Sequence, residues 1–211
     1  MHRAQMTLPI LYSFRRCPYA IRARLALQIS AISTDLREIV LRDKAPAFLS
    51  ISPSQSVPCL QHENFVIDES LDIMIWALTR NDPQGWLDMP EVGWRLIEQF
   101  DGPFKDALDR TKYAVRHPEL DPLEQRAIAH RQLTDLNASI GEWVFDRPTL
   151  ADFAILPFVR QFAFIDKTLF DAQPWDRLQA WLARFLSSSA FQDVMGKHAF
   201  WQTDDVAIYF P

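Results

Sequence analysis

The sequence predicts a two-part architecture: an α/β domain of order βαβ-ββα with a mixed four-stranded sheet over residues 1–80, then an all-α domain over residues 90–211. Two observations carry this reading. Short apolar runs of strand character alternate with helical stripes through the first eighty residues. A cluster of breakers, Asn81, Asp82, Pro83 and Gly85, then marks a linker over residues 81–89, and beyond it the signals are helical.

Residues 8–13 read as a buried strand, residues 18–29 as a helix with Ile21, Leu25 and Ile29 on one stripe, and residues 34–41 as a second strand containing Leu36 and Val40. A helical turn near residues 47–49 precedes two strands, 57–61 and 64–67, close enough to form an antiparallel hairpin joined at His62 and Glu63. Residues 69–78 carry Leu71, Ile75 and Leu78 at helical spacing. In the second part, Asp88 with Glu91, Asp121 with Glu124 and Thr149 with Asp152 give capping-box signals for three helix starts. The helix after Asp121 is expected to carry Leu133, Leu136, Ile140 and Trp143 on one face, and the one after Pro174 to carry Leu178, Trp181, Leu182 and Phe185. Gly102-Pro103 is expected to bend or interrupt the helix begun near Pro90, and Pro157 to kink the helix begun after Thr149.

Composition narrows the function. With 211 residues, 48% of them hydrophobic and 12% aromatic, the chain has material for a packed core and is not disordered. A net charge of −5 provides no basic field to hold a phosphate backbone, which argues against nucleic-acid binding. No apolar run of about 18 residues occurs, and residues 1–7 lack the apolar core of a leader, so the expectation is a cytoplasmic protein without a membrane partner. Two cysteines, Cys17 and Cys59, are too few for a disulfide framework and are expected to remain thiols unless they serve redox chemistry. No metal site is expected.

The chemistry concentrates at Cys17-Pro18-Tyr19-Ala20, which follows the first strand and opens the first helix. Unpaired N–H groups and the helix dipole stabilise a thiolate at that position, and the preceding Arg15 and Arg16 are candidate tuning cations. Pro18 suits the first helical position, where a missing N–H costs nothing. Because Ala20 stands where a second cysteine would complete a Cys-x-x-Cys pair, no dithiol cycle is available within the motif.

A thiol after the first strand of βαβ-ββα, Val57-Pro58 opening the third strand, and a helical second half together resemble the cytosolic glutathione transferases. The Cys-Pro-Tyr-Ala sequence is most similar to the omega-class and glutaredoxin-like, cysteine-type members. The resemblance implies a thioredoxin-like glutathione-binding domain, the GST fold, and a homodimer. It also implies a cis bond at Pro58, with the backbone of Val57 meeting the cysteinyl part of glutathione, and Glu69-Ser70 holding the γ-glutamyl group. Lys44 corresponds to a lysine that reaches the glycine carboxylate in omega-like members, with Arg42 a competitor for the role. The implied activity is glutathione-dependent thiol transfer, deglutathionylation or dehydroascorbate reduction, with glutathione as cosubstrate and a small electrophilic or disulfide acceptor. The acceptor site is expected between the two domains, with Phe104, Lys105, Tyr113 and Trp175 as candidate walls. Thr149 to Asp152 matches a capping box of the family, a folding element and not a catalytic one.

Other readings stay open at this point. Cys59 lies one residue past Pro58 and is either a resolving thiol or a buried structural one. A hydroxyl at Tyr12 or Ser13 is the alternative nucleophile activator, as in the conjugating classes, and a non-catalytic binding protein on the same fold is a third possibility. The apolar tail, residues 206–210, is expected to cover the site or a subunit contact.

Overall fold

The computed structural model describes residues 8–211; residues 1–7, including the reading of their leader character, lie outside the described residues. The chain forms two compact units, one of the chain up to Gln84 together with Ser189–Pro211, the other of Gly85–Ser188.

The first unit is built on a sheet of order β4-β3-β1-β2-β5. Strand β1 (Ile10–Ser13) pairs in parallel with β2 (Thr34–Glu38), with Leu11 opposite Leu36, and antiparallel with β3 (Cys59–His62), with Leu11 opposite Leu60. Strand β4 (Phe65–Ile67) completes the predicted hairpin against β3. Between β1 and β2 runs helix α1 (Pro18–Ile29), and α2 (Pro46–Ile51) and α3 (Ser70–Leu78) follow. Strand alternation assigns Leu11, Leu36 and Leu60 to one face and Tyr12 and Cys59 to the other, where they join Ile39, Phe48 and Val57 in a buried cluster. Helix α1 packs against α3 and against α10 (Ser189–Val194), and is buried nearly all round, its arginines 22 and 24 included. Buried side chains such as Leu25 and Leu27 each contribute about 1.5–3 kcal/mol.

Two expectations need correction here. The sheet has five strands among the described residues, because β5 (Tyr209–Phe210) pairs antiparallel with β2. The all-helical part therefore does not run to residue 211: from Ser189 the chain belongs to the sheet unit. Unpaired N–H and C=O groups on the outer edge of β2 supply the reason. The tail satisfies them: Trp201 N–H donates to Glu38 O at 2.8 Å, Leu36 N–H to Ile208 O at 2.8 Å, and Thr34 Oγ1 to Phe210 O at 3.0 Å. The apolar tail is thus a sheet edge, with Phe210 buried and Val206 exposed.

In the second unit, α4 (Glu91–Gln99) leads into a π-helical turn over Phe100–Phe104 and then α5 (Lys105–Lys112). The expected interruption at Gly102-Pro103 takes this form, a widened turn that accommodates a proline without an N–H. Helix α6 (Pro122–Ser139) follows the Asp121 cap, α7 (Leu150–Ala163) runs on through Pro157, and α8 (Lys167–Asp171) and α9 (Asp176–Ser187) complete the unit. All four predicted α9 stripe residues are buried.

Two helix readings change. The N-cap of α4 is Pro90, not Asp88; the Asp88 carboxylate instead pairs with Arg147 at 2.6 Å. Proline disfavours helical backbone in the residue before it, so the helix cannot start as early as Asp88. Helix α6 ends at Ser139, which leaves Ile140 as its C-cap and Trp143 in the following loop, off the predicted face.

Candidate active site

Cys17 is placed by a tight turn. Its N–H donates to Phe14 O at 3.0 Å, its backbone is extended at φ −71° and ψ 124°, and its own carbonyl accepts from Ile21 N–H at 2.9 Å. That is an N-cap position, with Pro18 beginning the helix as expected. The half-buried thiol donates to Val57 O at 3.6 Å, and the Val57–Pro58 bond is cis. Beside them lies a cleft of about 210 Å³ lined by Tyr19, Ser56, Val57, Pro58, Glu69 and Ser70, with Asp68 at its wall.

Four of the sequence-predicted binding residues therefore converge next to the thiol. Glu69 occupies the N-cap position of α3 but its side chain makes no capping bond, which leaves the carboxylate for another partner. Ser70 is the first helical residue, and its N–H is one of those a helix leaves without an internal partner. Lys44 is not in the cleft wall. Its Nζ donates to Gln55 O at 2.7 Å, next to the wall residue Ser56, and Arg42 is exposed.

Sequence reasoning missed two buried arginines on α1. Arg22 Nε donates to Ser70 Oγ at 3.0 Å, so the site serine is held from below by α1. Arg24, 1% exposed, donates to Arg15 O at 2.7 Å and to Ser13 Oγ at 3.1 Å, and its Nη1 lies 4.0 Å from Glu38 Oε2. The Arg15 N–H in turn donates to Glu38 Oε1 at 2.6 Å. The turn carrying Cys17 is thus gripped from behind. Burial pushes the Arg24 guanidinium down to about 10, opposed by Glu38 and by the charge of a Cys17 thiolate, so it stays a cation at neutral pH. Arg16 is exposed and lies over the Phe14 ring, and Arg15 is half-buried. A signal was present: two arginines inside an otherwise apolar helix have to find partners, since a buried charge is costly alone.

The other candidate nucleophiles are buried. Cys59 is wholly buried, and burial first, then the Asp68 charge, push its thiol up to about 12. Asp68 itself accepts from Ser52 Oγ at 2.8 Å and from Ser54 N–H at 2.5 Å. The Tyr12 hydroxyl is buried and accepts from Arg37 at 3.1 Å, and burial raises its pKa; Ser13 Oγ is buried under Arg24. Neither residue is among those lining the cleft at Val57–Pro58.

The candidate acceptor walls fall in the helical unit. Phe104 is fully buried against Phe100 and Phe162, and Trp175 is buried with its Nε1 donating to Thr134 Oγ1 at 3.0 Å while also lining a cleft with His130, Thr134 and Pro174 within the helical unit. Lys105 pairs with Asp109, and Tyr113 is half-buried under Lys112 and Arg116. Among the described residues no group of three or more His, Cys, Asp or Glu is arranged to hold a metal ion, and no helix is long and apolar enough to cross a membrane.

Comparison with known proteins now decides the family. Residues 11–85 match the model of the glutathione S-transferase N-terminal domain, and residues 105–184 that of the glutathione S-transferase C-terminal domain. The chain belongs to the glutathione S-transferase family. The first match contains the Cys17 turn, Val57-Pro58 and Glu69-Ser70, and the second stops just short of Ser189, where the chain returns to the sheet unit. Glutathione S-transferase U22 of Arabidopsis thaliana is 35% identical over 108 residues, 44% of this chain and 49% of that one. Protein IN2-1 homolog B of Oryza sativa subsp. indica is 27% identical over 161 residues, 72% of this chain and 64% of its own length. The matched stretches thus span about half to under two thirds of these relatives. In fold this glutathione S-transferase resembles a glutathione transferase family member from Pseudomonas fluorescens solved with two glutathione bound, at TM-score 0.76, 21% identity and coverage of 91% and 94%. It also resembles glutathione transferase Omega 3C from Trametes versicolor, at TM-score 0.74, 18% identity and coverage of 91% and 90%.

Proposed function

We propose that this glutathione S-transferase is an omega-like, cysteine-type enzyme that uses the Cys17 thiolate for glutathione-dependent thiol transfer. One observation carries the reading: the Cys17 thiol at a helix start meets the Val57 carbonyl beside cis-Pro58, at a cleft that also holds Glu69 and Ser70. Glu69 accepts from the γ-glutamyl ammonium group, Ser70 gives its N–H and hydroxyl to the neighbouring carboxylate, and the Val57 backbone pairs with the cysteinyl unit. Lys44 exchanges the Gln55 carbonyl for the glycine carboxylate.

The Cys17 thiolate attacks the glutathione sulfur of a mixed disulfide. The Cys17–glutathione bond forms as the acceptor's S–S bond breaks, and the acceptor sulfur leaves with the electron pair and takes a proton from water. A glutathione thiolate then attacks the same sulfur, releasing glutathione disulfide and returning Cys17 as thiolate. Helix-start N–H groups and the buried Arg24 keep the thiol acidic enough for both halves. Cys59, a thiol up to about 12, takes no part. The enzyme acts as a cytoplasmic homodimer in this reading.

Turnover of a glutathione–mercaptoethanol disulfide by wild type and Cys17→Ser tests it. A loss of at least about a hundredfold in kcat/KM is expected, since the covalent intermediate disappears. Full activity in the variant contradicts the reading, and chlorodinitrobenzene conjugation surviving the substitution would support the hydroxyl alternative.

A further inference from the structure

Among the described residues, no lysine or arginine lines the cleft beside Cys17. Its wall instead carries two carboxylates, Asp68 and Glu69. Asp68 is engaged by Ser52 Oγ and Ser54 N–H, so its charge stays with the loop before Val57. A ligand carboxylate in this cleft therefore depends on donors at the start of α3. The first bond of that helix runs from Ile73 N–H to Glu69 O, so the N–H groups of Ser70, Leu71 and Asp72 precede its ladder.

One hydrogen bond behind that wall lies Arg22, carried by α1, the helix that Cys17 caps. Arg22 is 1% exposed; its guanidinium lies 5.2 Å from the centroid of the Tyr19 ring, and its Nε donates to Ser70 Oγ at 3.0 Å. One buried cation thus holds two residues of the cleft wall. The direction of the Ser70 bond is fixed, because a guanidinium only donates. Ser70 Oγ accepts from behind, which leaves its own proton to be given elsewhere. Ser70 is 3% exposed, and among the described residues its hydroxyl donates to no protein acceptor. A buried donor without an acceptor is costly, and the cleft that Ser70 lines is where an acceptor can enter. Bonding to a charged donor also polarises the hydroxyl and strengthens its onward bond.

We propose that Arg22 is a positioning residue for glutathione: by donating to Ser70 Oγ it makes that hydroxyl a donor toward the cleft, so that the site selects the α-carboxylate of the γ-glutamyl group. The inference rests on the glutathione-dependent thiol-transfer reading and names the group that sets specificity on the glutathione side. Glu69, whose side chain makes no capping bond, takes the neighbouring ammonium group, so the two charges of the γ-glutamyl group are read by different residues. Helix α1 then serves both ends of the site, with the thiol at its start and the residue that aims the carboxylate donor on its flank.

The test uses mixed disulfides of 2-mercaptoethanol with glutathione, with 4-aminobutyryl-Cys-Gly, which lacks the α-carboxylate, and with glutaryl-Cys-Gly, which lacks the ammonium group. The leaving thiol is the same in all three, so intrinsic reactivity is matched, and kcat/KM for the disulfide reports the first exchange alone. Wild type is expected to favour glutathione over the 4-aminobutyryl disulfide by about thirtyfold. Arg22→Met is expected to cut that ratio by about fivefold or more and to leave the glutathione-to-glutaryl ratio within about twofold. Added to Ser70→Ala, the same substitution is expected to change neither ratio further, since the donor it acts through is gone. Arg22→Gln, which keeps a neutral donor, is expected to lower the carboxylate ratio by about two- to threefold and carries the test where Arg22→Met does not fold. A carboxylate ratio unchanged in a folded Arg22 variant, as an equal loss on all three disulfides would give, or a fall shared by the glutaryl ratio, overturns the inference while leaving thiol transfer standing. Absence of carboxylate discrimination in wild type removes Ser70 from the γ-glutamyl site and the inference with it, and absence of turnover on all three disulfides overturns thiol transfer itself.

Discussion

At the scale of single residues, the thiol is governed from behind. Arg15 and Arg16 precede Cys17 in the chain, yet Arg16 is exposed, where water and salt screen it, while Arg24 is buried beneath the turn. A cation near a thiolate favours the charged form, so removing it raises the thiol pKa. In Arg24→Met the midpoint of the pH profile for iodoacetamide alkylation of Cys17 is expected to move up by about one unit. Arg24→Lys should restore much of that shift, and Arg16→Ala should leave the midpoint nearly in place. An unmoved midpoint in Arg24→Met, with the fold intact by circular dichroism, would assign acidity to the helix start alone. Cys17 was legible as a thiol at a strand–helix boundary, and the resemblance singled out Pro58, Glu69 and Ser70, which the fold brings to one cleft beside it. Arg22 and Arg24 were not legible, because their partners, Ser70, Ser13 and Glu38, come from other elements and only the folded sheet brings them together.

At the scale of elements, the Thr149–Asp152 cap shows how much one carboxylate can organise. The Asp152 side chain, fully buried, accepts from Thr149 N–H at 2.8 Å, from Val144 N–H at 2.8 Å and from Trp181 Nε1 at 2.9 Å. It thereby ties the start of α7 to the preceding loop and to α9. A simple cap is worth about 1 kcal/mol, and a buried donor left unsatisfied costs about 1–3 kcal/mol more. Asp152→Ala is therefore expected to lose about 2–4 kcal/mol in urea unfolding, with kcat/KM per folded molecule unchanged. Thr149 and Asp152 announced the cap in sequence, but the Trp181 bond from 29 residues away did not. The elements misread fail for similar reasons. Asp88 carried the right cap chemistry, but Pro90 bars the helix from starting there. Strand β5 is two residues long, too short for alternation to register, and it is the open edge of β2 that makes Tyr209 and Phe210 a strand.

At the scale of the whole molecule, the βαβ-ββα order of the first eighty residues was legible from hydrophobic periodicity and breakers. The predicted linker, residues 81–89, contains the boundary between Gln84 and Gly85. The return of Ser189–Pro211 to the sheet unit was hidden, because it depends on which edge of the sheet lacks a neighbour. That return brings Lys197 and His198 beside the Cys17 turn, where they line a cleft with Phe14, Arg15 and Arg16. The claim that joins these parts is a monothiol cycle through Cys17 with Cys59 silent. It is tested most directly by intact-protein and peptide mass spectrometry after the protein meets a glutathione mixed disulfide without free glutathione. One glutathione is expected on Cys17, none on Cys59, and its complete release on adding glutathione. Glutathione on Cys59, an intramolecular Cys17–Cys59 disulfide, or a Cys17→Ser protein that still turns over the substrate at the wild-type rate would contradict the account.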